Sequence, residues 1–99
     1  MKDNFIGSVG IYGQRHYKYL KENKPTMVSV MRMRGSLKQY LCEVDEQAEE
    51  MLFQLVKQMS KDEDVTEKLK LKNPLEWVAR MNNIRNRAEE VVLREVIFV

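Results

Sequence analysis

The sequence predicts an all-α protein: a small helical bundle built on two long antiparallel helices, about residues 37–60 and 74–96, with shorter helices at their sides. Two observations carry this reading. Leu37, Leu41, Val44, Ala48, Met51, Leu52, Leu55 and Met59 recur every three or four residues over more than five turns, the spacing of one buried helical face. Trp77, Val78, Met81, Ile84, Ala88, Val91 and Val92 form a second such stripe. Ninety-nine residues make a single-domain length, with no room for a second core.

Taken in order, Gly7, Gly10 and Gly13 make residues 1–10 loop-like, up to about Tyr12. A first helix then runs to about Asn23, with Tyr12, His16, Tyr19 and Leu20 on its apolar face. Pro25 ends it and suits the first position of a second helix, PTMVSVMRMR, over 25–34. The β-branched residues there leave a strand as the lesser alternative. Gly35-Ser36 supplies a C-cap followed by an N-cap for the long helix. The run SKDED, 60–64, reads as a solvated break, and Thr66 caps a short helix through about Leu71. Asn73, Pro74 and Glu76 then start the last helix as cap, first residue and capping-box partner. The tail EVIFV is β-prone, yet the apolar stripe reaches Val96 in helical register.

Charge is small in sum and uneven in place. The net charge is +2, too little to mark a nucleic-acid binder. Residues 14–38, however, carry seven Lys/Arg against one acid, and residues 43–64 carry eight acids against two lysines. Either these regions neutralise each other inside the fold, or they form two charged surfaces. No apolar run is long enough for a membrane span, and MKDNFIGSVG has no signal-peptide core. Cys42, the only cysteine, fits a reducing, cytoplasmic location.

Catalytic chemistry finds no support. One histidine and one cysteine belong to no activating motif, and His16 reads as a satisfied core histidine. No residues have zinc-ligand spacing, SKDED lacks the pattern of a calcium loop, and no glycine-rich loop suits a phosphate. The expectation is a protein that is not an enzyme and has no cofactor or metal.

The best nucleic-acid candidate is RHYKYLKENK, 15–24. Arg15, Lys18, Lys21 and Lys24 form a basic ridge, and Tyr17 lies off the apolar face, so lysines could meet phosphates while the ring stacks. Arg80, Arg87 and Arg94 fall on one stripe of the last helix with Asn83 between them. Arg80 and Arg87 join the ridge as candidate DNA contacts. Glu76 and Glu90, each four residues before an arginine, compete for that stripe. Arg85 falls on the flank of the apolar stripe and is expected to be a partly buried structural tie to a carboxylate. Phe53 points away from the core on the acidic helix, and with Glu46, Glu49 and Glu50 it is the candidate protein-partner surface.

Four blocks of the chain carry a family resemblance. They are IYGQRHYKYLKENKP (11–25), GSLKQYL (35–41), DEQAEEM (45–51) with QMSKDEDVTEKLK (58–70), and WVARMNNIRNRAEEVVLREVI (77–97). The last, with its Met-Asn-Asn-x-Arg-Asn-Arg-Ala-Glu-Glu core, is the most specific. Together they resemble the transposon-encoded TnpV family of Gram-positive bacteria over about nine-tenths of the chain. Members carry a longer segment before the Tyr-Gly block, and they tend to have Gly before the valine where this chain has Asp62-Glu63-Asp64-Val65. The resemblance implies a mobile-element protein without assigned catalytic residues. Two functions remain open. One is an accessory protein acting on DNA or a nucleoprotein complex through the basic helix. The other is an anti-defence inhibitor of a host protein, such as a CRISPR nuclease, acting through the acidic helix. A homodimer is compatible with either.

Overall fold

A computed structural model describes residues 4–99. Five helices follow a short 3-10 turn at Ile6–Ser8: α1 (Ile11–Asn23), α2 (Pro25–Arg34), α3 (Leu37–Asp62), α4 (Glu67–Lys72) and α5 (Pro74–Val92), which passes into a π-helical turn at Leu93–Ile97. The described residues contain no strand, so residues 25–34 resolve as helix. The part of the loop-like expectation that covers residues 1–3 lies outside the described residues. Gly13 sits inside α1, not before it.

The start of α1 explains its glycines. No side chain of its own caps the helix. Asp45 of α3 does so instead, its Oδ1 accepting from the backbone N–H groups of Tyr12 and Gly13 at 3.0 Å each. Those are two of the four donors that a helix N-terminus leaves unpaired, and the carboxylate also meets the positive end of the helix dipole. A Cβ at Gly10 would overlap the Asp45 carboxylate. One at Gly13 would come within 2.6 Å of the Leu41 carbonyl oxygen and overlap Val9. Both glycines let the α1 backbone approach α3 closely enough for this cap.

Two apolar clusters fill the bundle. Val9, Tyr17, Leu20, Val28, Leu37 and Leu41 pack at the end made by α1, α2 and the start of α3. Tyr12, Val44, Ala48, Val92, Val96 and Ile97 pack where α1 and α5 meet the middle of α3. His16 stands buried beside them. Its Nδ1 lies 2.7 Å from the Ile97 carbonyl oxygen, which can only accept, so Nδ1 donates there, and Nε2 lies 2.9 Å from the Tyr40 hydroxyl. The satisfied core histidine expected from the sequence is the one found.

The π turn has a packing reason. Val92, Val96 and Ile97 are all buried, and an α-helix would swing Ile97 well away from Val92. Widening the turn, with Phe98 N–H donating to Leu93 O at 2.8 Å, brings Val96 and Ile97 onto the same flank.

The molecule measures 55 × 22 × 16 Å, and burial along it is uneven. Ala48 contacts the Val92 cluster while Glu63 reaches Arg87, so α3 and α5 run antiparallel. Beyond Ala48, α3 has no fully buried side chain: Met51, Leu52, Leu55, Val56 and Met59 are half-covered and Phe53 is exposed. This distal arm is closed by α4, with Leu69 and Trp77 half-buried and Lys70 Nζ 4.8 Å from the Trp77 ring.

α3 runs to Asp62, so three of the five residues of the expected break are helix. The turn is made at Asp64, a non-glycine residue with φ +57°, and Val65 behind it is buried. Asp tolerates the left-handed region better than most residues but still costs more there than Gly. Asn73 then accepts from Glu76 N–H at 3.2 Å and Pro74 opens α5, as its sequence signals indicate.

Two substitutions test these constraints. Asp45→Ala should lower unfolding free energy by about 1 kcal/mol or more, the usual worth of a cap, with little change in denaturant m-value. Asp64→Gly should raise it by about 0.5–1 kcal/mol through relief of the left-handed backbone. Urea titration followed by far-ultraviolet circular dichroism reads both, and destabilisation by Asp64→Gly contradicts the turn argument.

Candidate nucleic-acid interface

α1 presents the basic ridge because its other face is consumed by Tyr12, His16, Tyr17 and Leu20, all buried. Arg15 and Lys18 are exposed and flank a shallow hollow with Tyr19, Glu22 and Phe98. Arg15 lies 3.7 Å from Glu89, which also accepts from the Tyr12 hydroxyl at 3.0 Å. Burial, then this hydrogen bond, raises the Tyr12 pKa from its ordinary value. Lys24 Nζ reaches the Val99 carbonyl at 3.4 Å.

Tyr17 corrects the sequence reading. It was expected off the apolar face as a stacking platform, but it is 4% exposed. Its hydroxyl accepts from Arg32 at 2.8 Å, while Lys21 Nζ stands 4.4 Å from the ring centroid. The apolar face of α1 is wider than one stripe, because α2 folds back over its side and buries a second row. Tyr17 therefore cannot stack on a base, but it holds two cations at the surface.

Arg34 and Lys38 were not among the sequence candidates. Both are exposed, on either side of the αL turn at Gly35 that joins α2 to α3. The signal available in the sequence was their place around one sharp turn beside a basic helix. The ion pairs among the described residues are Arg15–Glu89, Arg80–Glu76 and Arg87–Glu63. None of them joins Lys18, Lys21, Lys24, Arg34 or Lys38 to an acid. Among the described residues, no ion pair therefore joins these five side chains to an acid of α3. Several acids of α3 are instead held by glutamines one turn away: Gln39–Glu43, Gln54–Glu50 and Gln58–Asp62.

The arginine stripe on α5 is different. Arg80 pairs with Glu76 at 3.9 Å, as the spacing suggested, whereas no Glu90–Arg94 pair forms among the described residues. Arg87 is half-buried and donates to both carboxylate oxygens of Glu63, at 2.9 and 2.8 Å. Its Nε donates to Asn83 Oδ1 at 2.7 Å. This fork fixes the guanidinium, so Arg87 ties the end of α3 to α5 and is not free for phosphate. Arg85, expected to be that tie, is instead exposed and forms no ion pair among the described residues. The reversal arises because the Asp64 turn folds Glu63 back along the Arg87 side of α5.

The acidic surface also divides. Phe53 is 61% exposed, in a groove of about 390 Å³ lined by Glu49, Leu52, Val56, Lys57 and Arg85. Glu50 lies on the other flank, beside Met51, Gln54 and Leu55. Glu46 is exposed two turns before Phe53. Among the described residues, no group of three or more His, Cys, Asp or Glu could hold a metal ion, and no helix is long and apolar enough to cross a membrane. Cys42 is free and half-buried.

The family model described as transposon-encoded protein TnpV matches residues 2–97. The chain belongs to this family. It is therefore related to proteins carried by transposons, and the Asn/Arg block of this TnpV member sits where Asn83 and Arg87 lock α5 to the distal turn. The chain matches no curated protein and no solved structure.

The Glu63–Arg87 fork has a pH signature. The hydrogen bond from Arg87 holds the Glu63 carboxyl below its ordinary value of 4.5. Its stabilisation is therefore present above that pH and is lost as pH falls through the lowered value. Glu63→Gln should lower the melting temperature at neutral pH and make its decline in acid shallower. Thermal melts across the acid range check this, and an acid limb identical to that of the parent chain removes the fork from the account.

Proposed function

We propose that this TnpV protein is a non-enzymatic accessory protein of a mobile element that binds duplex DNA through its basic end. The observation that carries the reading is the set Lys18, Lys21, Arg34 and Lys38. These cations are exposed and, among the described residues, are not joined to any acid by an ion pair, in a chain whose acids are abundant enough to have neutralised them. Five basic side chains, Lys24 included, on the end formed by α1, α2 and the start of α3 suit the sugar-phosphate backbone. Lysines and arginines there act by counterion release.

The site offers position without much base readout. Tyr17 is buried, and Arg87 is engaged with Glu63. Arg80 lies on the α5 face remote from the ridge, beside Glu76. Binding in this reading is dominated by phosphate contacts, with weak sequence preference and strong salt dependence. Arg15 contributes from the edge of the ridge, restrained by Glu89.

Lys18→Glu with Lys21→Glu should weaken binding to a labelled duplex by about tenfold or more. It should also reduce the slope of log K against log salt by about two, one for each lost phosphate contact. Fluorescence anisotropy over a salt series reads both values. Lys61→Glu, on the distal arm, should leave them unchanged. Binding by the double variant equal to that of the parent chain would remove the basic end as the interface.

A further inference from the structure

The groove around Phe53 has a property that the DNA reading does not use. Glu49, Phe53 and Lys57 lie four residues apart along one exposed row of α3, one turn on either side of the aromatic ring. Leu52, Val56 and Arg85 complete the groove. The row is therefore an acid, an aromatic and a base in order. Such an order is self-complementary when reversed.

We propose that a second copy of this chain docks antiparallel on this row, about a two-fold axis at Phe53. Two-fold symmetry with antiparallel helices sets each position before Phe53 against the position equally far after it in the other copy. Glu49 of each copy then faces Lys57 of the other, and the two Phe53 rings meet at the centre. Arg85, which forms no ion pair among the described residues, lines the same groove and adds a second cation towards the incoming Glu49. A parallel pairing would instead set Glu49 against Glu49 and Lys57 against Lys57, so the charges select the direction.

The geometry of helix packing and the burial along α3 also favour this occupant. Rows spaced by four residues are the ridges by which helices commonly interdigitate. The half of α3 that would be covered is the half with no fully buried side chain. A dimer would complete a four-helix layer from α3 and α5 of each copy, covering Leu52 and Val56 without displacing anything from the core. The basic end is formed by α1, α2 and the start of α3 and stays uncovered, so dimerisation and DNA binding are separable.

The test is solution mass against concentration, by sedimentation equilibrium, for the parent chain and three variants. The parent chain should pass from monomer to dimer with rising concentration. Phe53→Ala should weaken association by about tenfold or more, as loss of a central aromatic does. Glu49→Lys and Lys57→Glu should each dimerise poorly alone, because each makes the row carry like charges. Mixed in equal amounts, these two should recover a mixed dimer, since each acid again faces a base. All three positions are exposed, so helical content by circular dichroism should match the parent. A parent chain that stays monomeric throughout overturns the proposal and leaves the groove to a protein of another kind. A dimer indifferent to Phe53→Ala, or charge variants that fail to associate on mixing, overturns the antiparallel row.

Discussion

The arrangement depends on one carboxylate. Asp45 belongs to α3 but completes the first turn of α1, and both glycines of the Gly10–Gly13 pair exist to let that happen. An ordinary cap is local and fixes only where a helix starts. This one also fixes where the helix lies. Once Tyr12 N–H and Gly13 N–H are held at Asp45, the buried face of α1 can only descend onto Leu41, Val44 and the α5 terminus. The remaining contacts of α1 follow: Tyr12 to Glu89, His16 to Ile97 and Tyr40, and Tyr17 beneath Arg32. The basic ridge is the other side of the same placement.

Against that well-specified end stands an arm that is thinly covered. From Ala48 outward, the apolar residues of α3 meet α5 on one side only, and α4 is six residues long. The Glu63–Arg87–Asn83 fork and the buried Val65 supply at the far end what packing does not supply in the middle. A fork in water contributes less than a filled core does. Local opening should therefore concentrate in the arm, where few side chains exclude solvent.

Much of this was legible in the sequence because helical signals are local. The periodic stripes gave α3 and α5, Pro25 and Gly35 bounded α2, and Asn73-Pro74 opened α5. The errors fall where the decisive contact is distant along the chain. Tyr17 was misplaced because the burying element, α2, folds back over α1, and a helical wheel of α1 alone cannot contain that. The tie expected at Arg85 belongs to Arg87, because Glu63 is delivered by a left-handed turn at Asp64 that composition read as solvated. Gly10 and Gly13 read as loop residues because only the position of Asp45, more than thirty residues later, reveals their purpose. The charged thirds are visible from composition, but which lysines and arginines stay without an ion pair among the described residues is not, since that depends on which faces the packing turns outward.

The closures made by α1 also bear on how the chain acquires its structure. Tyr12 meets Glu89 at a separation of 77 residues, and His16 meets Ile97 at 81. In contrast, α3, α4 and α5 follow one another and join through neighbours in sequence. Helical bundles usually assemble quickly from local contacts, but each long loop must lose its entropy before its ends gain anything. The cap at Asp45 closes over 33 residues and needs only α3, whereas the contacts of α1 with Glu89 and Ile97 need α5 to lie on α3 as well. A chain in which α5 has not docked would leave Tyr12 and His16 without those two partners.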